Sequence, residues 1–134
     1  MQSAYRTGHS TETALLKVMN DCLTGCDNSN VCLLSLLDLS AAFDTIDHEI
    51  LLKRLEVTFG IQSNALLWFK SYLHNRKQTV VVDGVKSEWY DIKYGVPQGS
   101  VLGPILFTLY MQPLSGVINK HNVSYHFYAD DTQL

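Results

Sequence analysis

The sequence has few charges, few cysteines and no long apolar run, and each shortage excludes a class of protein. Charged residues make up 17% of the chain and apolar residues 46%, a balance that excludes an intrinsically disordered protein. No apolar run reaches the roughly 18 residues that a membrane-spanning helix requires, so no membrane is expected among the partners. The opening residues MQSAYR lack the apolar core of a signal peptide. They predict an intracellular protein that is not secreted and leave the choice between nucleus and cytoplasm open.

The few cysteines predict free thiols rather than disulfides. There are three of them, an odd number in a chain without a secretion signal, which is typical of a reducing compartment. A zinc site formed by Cys22, Cys26 and a histidine is an alternative. However, Cys22 falls in an apolar helical stripe, where cysteine usually packs as a small hydrophobic residue.

Basic residues are not in excess either. The net charge of −3 argues mildly against a protein that binds nucleic acid, because phosphate affinity comes mostly from clustered Lys and Arg. One dense basic patch lies in the segment LHNRKQ, where Arg76 and Lys77 are weak candidates for nucleic-acid contacts. A solvated loop is the alternative interpretation of this patch.

Periodicity and turn chemistry predict an α+β domain. Ser10 or Thr11, Asp47 and Ser63 are suited to cap helices, and Asp83-Gly84 between two β-rich runs is a strong hairpin signal. The continuous apolar run at 31–37 is typical of a strand buried on both faces. The predicted elements are a helix at 10–23, a strand at 31–37, helices at 47–59 and 63–73, a hairpin at 78–94, an apolar helix beginning near Pro104 and a strand at 124–128.

Two of the predicted strands end in carboxylates. Asp38 follows the apolar run, and Asp130 and Asp131 follow the last strand. Neighbouring carboxylates repel unless water or a cation compensates them, and Mg²⁺ prefers such oxygen ligands. If the two strands are neighbours in one sheet, all three aspartates meet at one edge, as in a two-metal phosphoryl-transfer site. A strand-end turn for Asp38 and a solvated turn for the pair are the alternatives.

The segment GVPQGS is a third candidate. Two glycines allow a ligand to approach the backbone, and Gln98 offers both a donor and an acceptor. Such loops are common before helices, so this motif alone is weak evidence.

Together these segments resemble the reverse transcriptases of non-LTR (LINE-like) retrotransposons. LLDLSAAFDTIDHEIL is similar to polymerase motif A, GVPQGSVLGPILFTLYM to motif B and YADD to motif C, in the order and spacing of that family. The resemblance implies a partial palm subdomain of a right-handed polymerase, with a central antiparallel sheet packed on helices. It covers residues 1–134, as a palm with the end of the fingers, and most of the fingers and the thumb are absent from it.

The resemblance also implies roles for particular residues. Asp38, Asp130 and Asp131 would be the catalytic acids and the ligands of two Mg²⁺ ions, with Mn²⁺ as an alternative. The nucleotide-binding residues would be Leu39, Phe43, Gln98 and Gly99. The implied partners in the full-length protein are an RNA template, a DNA primer and deoxynucleoside triphosphates; the oligomeric state stays open.

Phe43 distinguishes two kinds of polymerase within this resemblance. It lies five residues after Asp38, where the family places the residue beneath the sugar of the incoming nucleotide. A bulky ring there would clash with a 2′-hydroxyl, whereas RNA-copying RNA polymerases tend to carry a polar residue. Phe43 therefore favours deoxynucleotides, and the alternative is that it is only a core aromatic.

A catalytically inactive retroelement remnant, at most a module that binds nucleic acid or a partner, is the competing functional hypothesis. The three residues after Asp131 are few for a strand, so the turn with both carboxylates is expected to be held from one side only. Without fingers or thumb, moreover, neither the triphosphate nor the primer duplex is held. For both reasons the isolated 134-residue chain is expected to bind Mg²⁺ weakly and not to extend a primer.

Overall fold

The structure, a computed structural model, describes residues 2–134 and divides them into two compact units. The first unit contains residues 2–40 and 111–134, and the second contains residues 41–110. The helices are α1 (Thr11–Asp27), α2 (His48–Val57), α3 (Ser63–Leu73) and α4 (Gly103–Asn119). The strands are β1 (Leu36–Leu37), β2 (Arg76–Gln78), β3 (Val81–Val82), β4 (Val85–Lys86), β5 (Tyr90–Ile92), β6 (His126–Tyr128) and β7 (Asp131–Gln133). The predicted α+β class is confirmed.

Three of the helices begin close to where the sequence predicts. Ser10 caps α1 by accepting a hydrogen bond from the Thr13 amide, and the Thr13 side chain accepts one from the Ser10 amide. Asp47 caps α2 by accepting a hydrogen bond from the amide of Ile50. Helix α3 starts at Ser63, but Gln62 occupies the cap position and makes no side-chain cap bond. The expected role of Ser63 as a cap is therefore wrong.

The first unit is built on an antiparallel sheet with the order β1–β7–β6. Strand β7 is the central strand, because it pairs with β6 through Phe127 and Thr132 and with β1 through Leu37 and Thr132. Helix α1 lies beside β6. Phe127 and Thr132 are buried, so the pairing of β6 with β7 forms the centre of this unit.

The expectation of a long strand buried on both faces at 31–37 is wrong. Only Leu36 and Leu37 form β1, and their side chains remain 69% and 49% exposed. Within residues 2–134, β1 has a neighbouring strand on one side only, so it is an edge strand. A continuous apolar run indicates a tendency to be buried, but it does not supply the layers that would bury it.

The second unit has its core on helices α2 and α3, which pack against each other. Leu51 and Leu55 of α2 and Leu73 of α3 are fully buried. The predicted hairpin is confirmed: Asp83 and Gly84 join β3 to β4 with φ angles of 50° and 80°, as a two-residue turn with positive φ at both positions requires. Strands β2 and β5 form a second antiparallel pair in this unit.

Helix α4 accounts for the apolar stretch that follows the Gly/Pro loop. It starts at Gly103, so Pro104 occupies the first turn, where its missing amide hydrogen is tolerated. In the part of the chain described, no helix combines the length and the apolar character needed to span a membrane.

Candidate active site

The ends of β1, β6 and β7 bring the three candidate aspartates to the same edge of the sheet. Leu37, the last residue of β1, pairs with Thr132 in antiparallel register, so Asp38 directly after β1 lies at the same sheet edge as Asp131 at the start of β7. Tyr128 pairs with Asp131, which leaves Ala129 and Asp130 as the two-residue turn between β6 and β7. The sequence-based expectation that Asp38 and the aspartate pair share one sheet edge is confirmed.

The same edge opens onto a groove beside helix α1. Asp38 and Asp131 line this groove of about 400 Å³ together with apolar residues that include Leu15 and Met19. Asp38 and Asp131 are exposed, whereas Asp130 is half-buried. A ligand therefore has access to carboxylate oxygens from two adjacent strands.

The donor set at this edge fits a hard divalent cation. Between residues 2 and 134, no three His, Cys, Asp or Glu side chains lie close enough together to hold a metal ion by themselves. The alternative of a zinc site at Cys22, Cys26 and a histidine is therefore wrong for these residues. Mg²⁺ does not require three such side chains, because it is bound through one or two carboxylates, with water and substrate phosphates completing its shell. Carboxylates on adjacent strands, open to solvent, meet that requirement.

The turn is held more firmly than its short final strand predicts. The expectation that it is held from one side only is wrong, because β7 is hydrogen-bonded to β6 and to β1. Beyond β7, the amides and carbonyls of Ser35 and Leu134 exchange two hydrogen bonds of 2.9 Å. Pairing along both edges compensates for a strand of three residues.

Two residues near the chain's start also lie at this turn, and sequence reasoning missed both. The Gln2 side chain hydrogen-bonds the backbone of Ala129. Partial burial raises the pKa of the Tyr5 phenol, and the charges of Asp130 and Tyr128 raise this pKa further. No local pattern marks these residues, because the contact of Gln2 spans 127 positions.

In the second unit, Phe43 lies where the motif A segment meets the loop that carries GVPQGS. Its ring packs on Phe107 with 5.1 Å between centroids, and its carbonyl accepts a 2.9 Å hydrogen bond from the Val96 amide. The Gly95 amide donates to the Ile46 carbonyl at 2.7 Å, and His48 Nε2 hydrogen-bonds the Gly95 carbonyl at 2.7 Å. Phe43 is thus half-buried, and its position is fixed by packing.

Gly95 makes this contact sterically feasible. An added Cβ would lie 2.9 Å from the Asp44 Cα and 3.0 Å from the Phe43 carbonyl oxygen, and the φ of Gly95 is +84°. Glycine is therefore required twice, for its conformation and for its size.

The remaining candidates are placed as follows. Gln98 is exposed, and the neighbouring Gly99 has a φ of +78° with nothing within 4 Å of an added Cβ, so the loop has open space beside it. Leu39 is 40% exposed and follows Asp38 directly. Arg76 and Lys77 belong to β2 rather than to a loop, and Lys77 Nζ lies 3.6 Å from a carboxylate oxygen of Asp91 on the paired strand. That ion pair reduces the charge that Lys77 offers to a phosphate.

Comparison with known proteins places these segments in context. Residues 1–134 match the family described as Reverse transcriptase (RNA-dependent DNA polymerase). The chain is 35% identical over 136 residues to an RNA-directed DNA polymerase from mobile element jockey of Drosophila melanogaster, across 98% of this chain and 15% of the relative. It is 38% identical over 109 residues to a probable RNA-directed DNA polymerase from transposon X-element of the same organism, across 81% of this chain and 12% of the relative.

A more distant similarity extends to another element. Over 83 residues the chain is 31% identical to a retrovirus-related Pol polyprotein from type-1 retrotransposable element R2 of Popillia japonica, across 62% of this chain and 14% of the relative. The chain therefore spans only 12 to 15% of the length of these curated relatives.

Proposed function

Because the chain belongs to the reverse transcriptase (RNA-dependent DNA polymerase) family, we propose that residues 1–134 provide the catalytic palm, with the end of the fingers, of a polymerase that copies RNA into DNA. The resemblance to retrotransposon reverse transcriptases of the non-LTR type is confirmed by the relatives' names. The sheet edge that joins Asp38, Asp130 and Asp131 is the observation that supports the proposal most. The proposed partners are an RNA template, a DNA primer and deoxynucleoside triphosphates.

The three aspartates are the proposed holders of two divalent cations, Mg²⁺ or Mn²⁺. When bound, such ions neutralise charge on the triphosphate and on the attacking and leaving oxygens of an in-line transfer. The contribution of this chain is position: the pairing of β7 with β1 and β6 holds Asp131 at the sheet edge that Asp38 shares and holds Asp130 in the turn between β6 and β7. Little covalent chemistry is required from the protein in phosphoryl transfer, so the fixed placement of carboxylates is its main catalytic task.

We assign the incoming nucleotide to Leu39, Phe43, Gln98 and Gly99. The exposed Gln98 amide can donate to and accept from a nucleotide, and the open space beside Gly99 admits a ligand close to the backbone. The ring of Phe43 is held by Phe107 and cannot easily turn aside. A fixed apolar ring beside the sugar would exclude a 2′-hydroxyl by contact and by leaving it without a hydrogen-bond partner.

The proposal is tested by primer extension on an RNA template. The protein assayed is a polymerase of the same length as the relatives that contains residues 1–134, with and without the substitution Asp130→Asn. We expect extension to require a divalent cation and to fall by more than about a hundredfold, since losing about 3 kcal/mol of charge stabilisation has that effect. Asp83→Asn is the matched control, because Asp83 is exposed in the hairpin turn and its positive φ suits asparagine.

Two results would count against the proposal. Extension that persists in Asp130→Asn would remove this carboxylate from the reaction. An unmodified protein that folds and binds primer and template but extends nothing would favour the inactive remnant.

A further inference from the structure

We propose that Gln2 is a positioning residue for the turn that carries Asp130 and Asp131, an inference that rests on the proposed polymerase function. The Gln2 side chain pairs with both backbone polar groups of Ala129, the residue immediately before the two aspartates. Its Oε1 accepts from the Ala129 amide at 3.2 Å, and its Nε2 donates to the Ala129 carbonyl at 3.2 Å. These two hydrogen bonds are called the Gln2 clamp below.

The orientation of the amide is set by its surroundings. Oε1 accepts a second hydrogen bond, of 3.0 Å, from the Ala4 amide. If the amide were turned around, its NH₂ group would face two backbone N–H donors and its oxygen would face a carbonyl, so three hydrogen bonds would be lost. Only a side chain with both a donor and an acceptor, at the length of glutamine, satisfies this arrangement.

Ala129 is a position that benefits from such a clamp. Its φ is +54°, in the left-handed region that alanine disfavours, and it is the first residue of a two-residue turn, where glycine is common. The turn is therefore strained at the residue next to the proposed metal ligands. Two hydrogen bonds to its peptide groups favour the strained conformation over relaxed ones and so define where Asp130 and Asp131 lie.

The clamp is itself anchored. Gln2 forms a parallel bridge with Phe127 of β6, and the Ser3 amide donates to the Phe127 carbonyl at 3.0 Å. The Ser3 hydroxyl and His126 Nε2 share a buried hydrogen bond of 2.7 Å. Ser3 and Ala4 are 1% and 5% exposed, so the backbone that carries Gln2 is fixed against the sheet.

The inference predicts a specific kinetic effect for Gln2→Met, which keeps the length of the side chain and removes both clamp bonds together with the bond from the Ala4 amide. In the polymerase that carries this chain, we expect kcat to fall on the order of ten- to a hundredfold, because a misplacement of about 1 Å has such an effect. The half-saturating Mg²⁺ concentration should rise several-fold, while the KM for the nucleotide stays within about twofold. Gln112→Met is the matched control, since Gln112 is exposed on α4.

A loss of overall stability must be separated from a loss of position. Gly84→Ala lowers stability through the positive φ of the β3–β4 turn, and no atom lies within 4 Å of the added Cβ, so it touches neither the clamp nor its anchors. It therefore provides a comparison with lowered stability, measured as the melting temperature. If the activity of Gln2→Met falls no further than that of Gly84→Ala when both are assayed at the same distance below their melting temperatures, the positioning role is refuted.

The clamp can also be measured without activity, by amide hydrogen exchange of Ala129 in the 134-residue chain. We expect exchange to accelerate about tenfold or more in Gln2→Met and to stay unchanged in Gln112→Met. Unchanged exchange in Gln2→Met would overturn the inference whatever the activity. A different outcome would refute the proposed function instead. In that case Ala129 exchanges faster in Gln2→Met, so the clamp exists, but primer extension is unchanged by Asp130→Asn, so the clamp has no catalytic role.

Discussion

Replacing Gly95 with alanine tests whether the close approach between the GVPQGS loop and the segment after Phe43 stabilises the second unit. Two separate costs are expected. Alanine at a φ of +84° loses roughly 1–2 kcal/mol through left-handed backbone strain. In addition, its Cβ would lie 2.9 Å from the Asp44 Cα, an atom of the backbone that cannot rotate away, and overpacking of this kind costs about 1–3 kcal/mol.

The two costs can be separated with a second glycine. Gly84 has a similar φ of +80°, but no atom lies within 4 Å of its added Cβ, so Gly84→Ala should show the conformational cost alone. Urea unfolding of both variants gives the comparison. We expect Gly95→Ala to lower the free energy of unfolding by about 2–5 kcal/mol and Gly84→Ala by about 1–2 kcal/mol. Equal losses within about 0.5 kcal/mol would show that the loop does not approach Asp44 as the structure has it.

Two further predictions concern a side chain of the site and the sheet behind it. In the polymerase that carries this chain, Phe43→Ala should relax the exclusion of ribonucleotides more than it slows deoxynucleotide incorporation. Unchanged discrimination between ribonucleotides and deoxynucleotides would make Phe43 a core residue only. Phe59→Ala is the control, since Phe59 is also half-buried. Burial lowers the pKa of His126 below its ordinary 6.5, so the unfolded state binds the proton more readily, and stability should fall as the pH drops from 6.5 toward that lower pKa. Urea unfolding at pH 7.5 and 5.5 measures this fall in the free energy of unfolding. The fall should disappear in His126→Gln and remain in the control His121→Gln, since His121 is exposed. A fall of the same size in His126→Gln would contradict the prediction.

Features set by local chemistry were the ones that the sequence predicted well. Ser10 and Asp47 cap helices because a side-chain oxygen meets an amide three residues on. Asp83-Gly84 forms the hairpin turn because both residues accept positive φ. Each of these depends on neighbours in the sequence, so each can be recognised without knowledge of the fold.

Features set by distant parts of the chain were predicted only in part. The assumption that the strand before Asp38 and the strand at 124–128 are neighbours was wrong, because β7 lies between β1 and β6. Asp38 and Asp131 nevertheless share one sheet edge, because β1 pairs with β7. The 31–37 run was predicted to be buried and is exposed, since burial depends on which elements cover a strand. Gln2 was missed altogether, because its partner Ala129 lies 127 positions away and a lone glutamine has no distinguishing pattern.

The division of the chain into units has a consequence for folding kinetics. Residues 41–110 form one uninterrupted unit, so its contacts can close while the rest of the chain is still disordered. The unit with the aspartates is assembled from two separate stretches, and the contact between Gln2 and Ala129 closes a loop of 127 positions. Such closure costs chain entropy before it yields any contact, and non-local pairings form slowly. The carboxylate edge is therefore the part of this protein that is expected to form last.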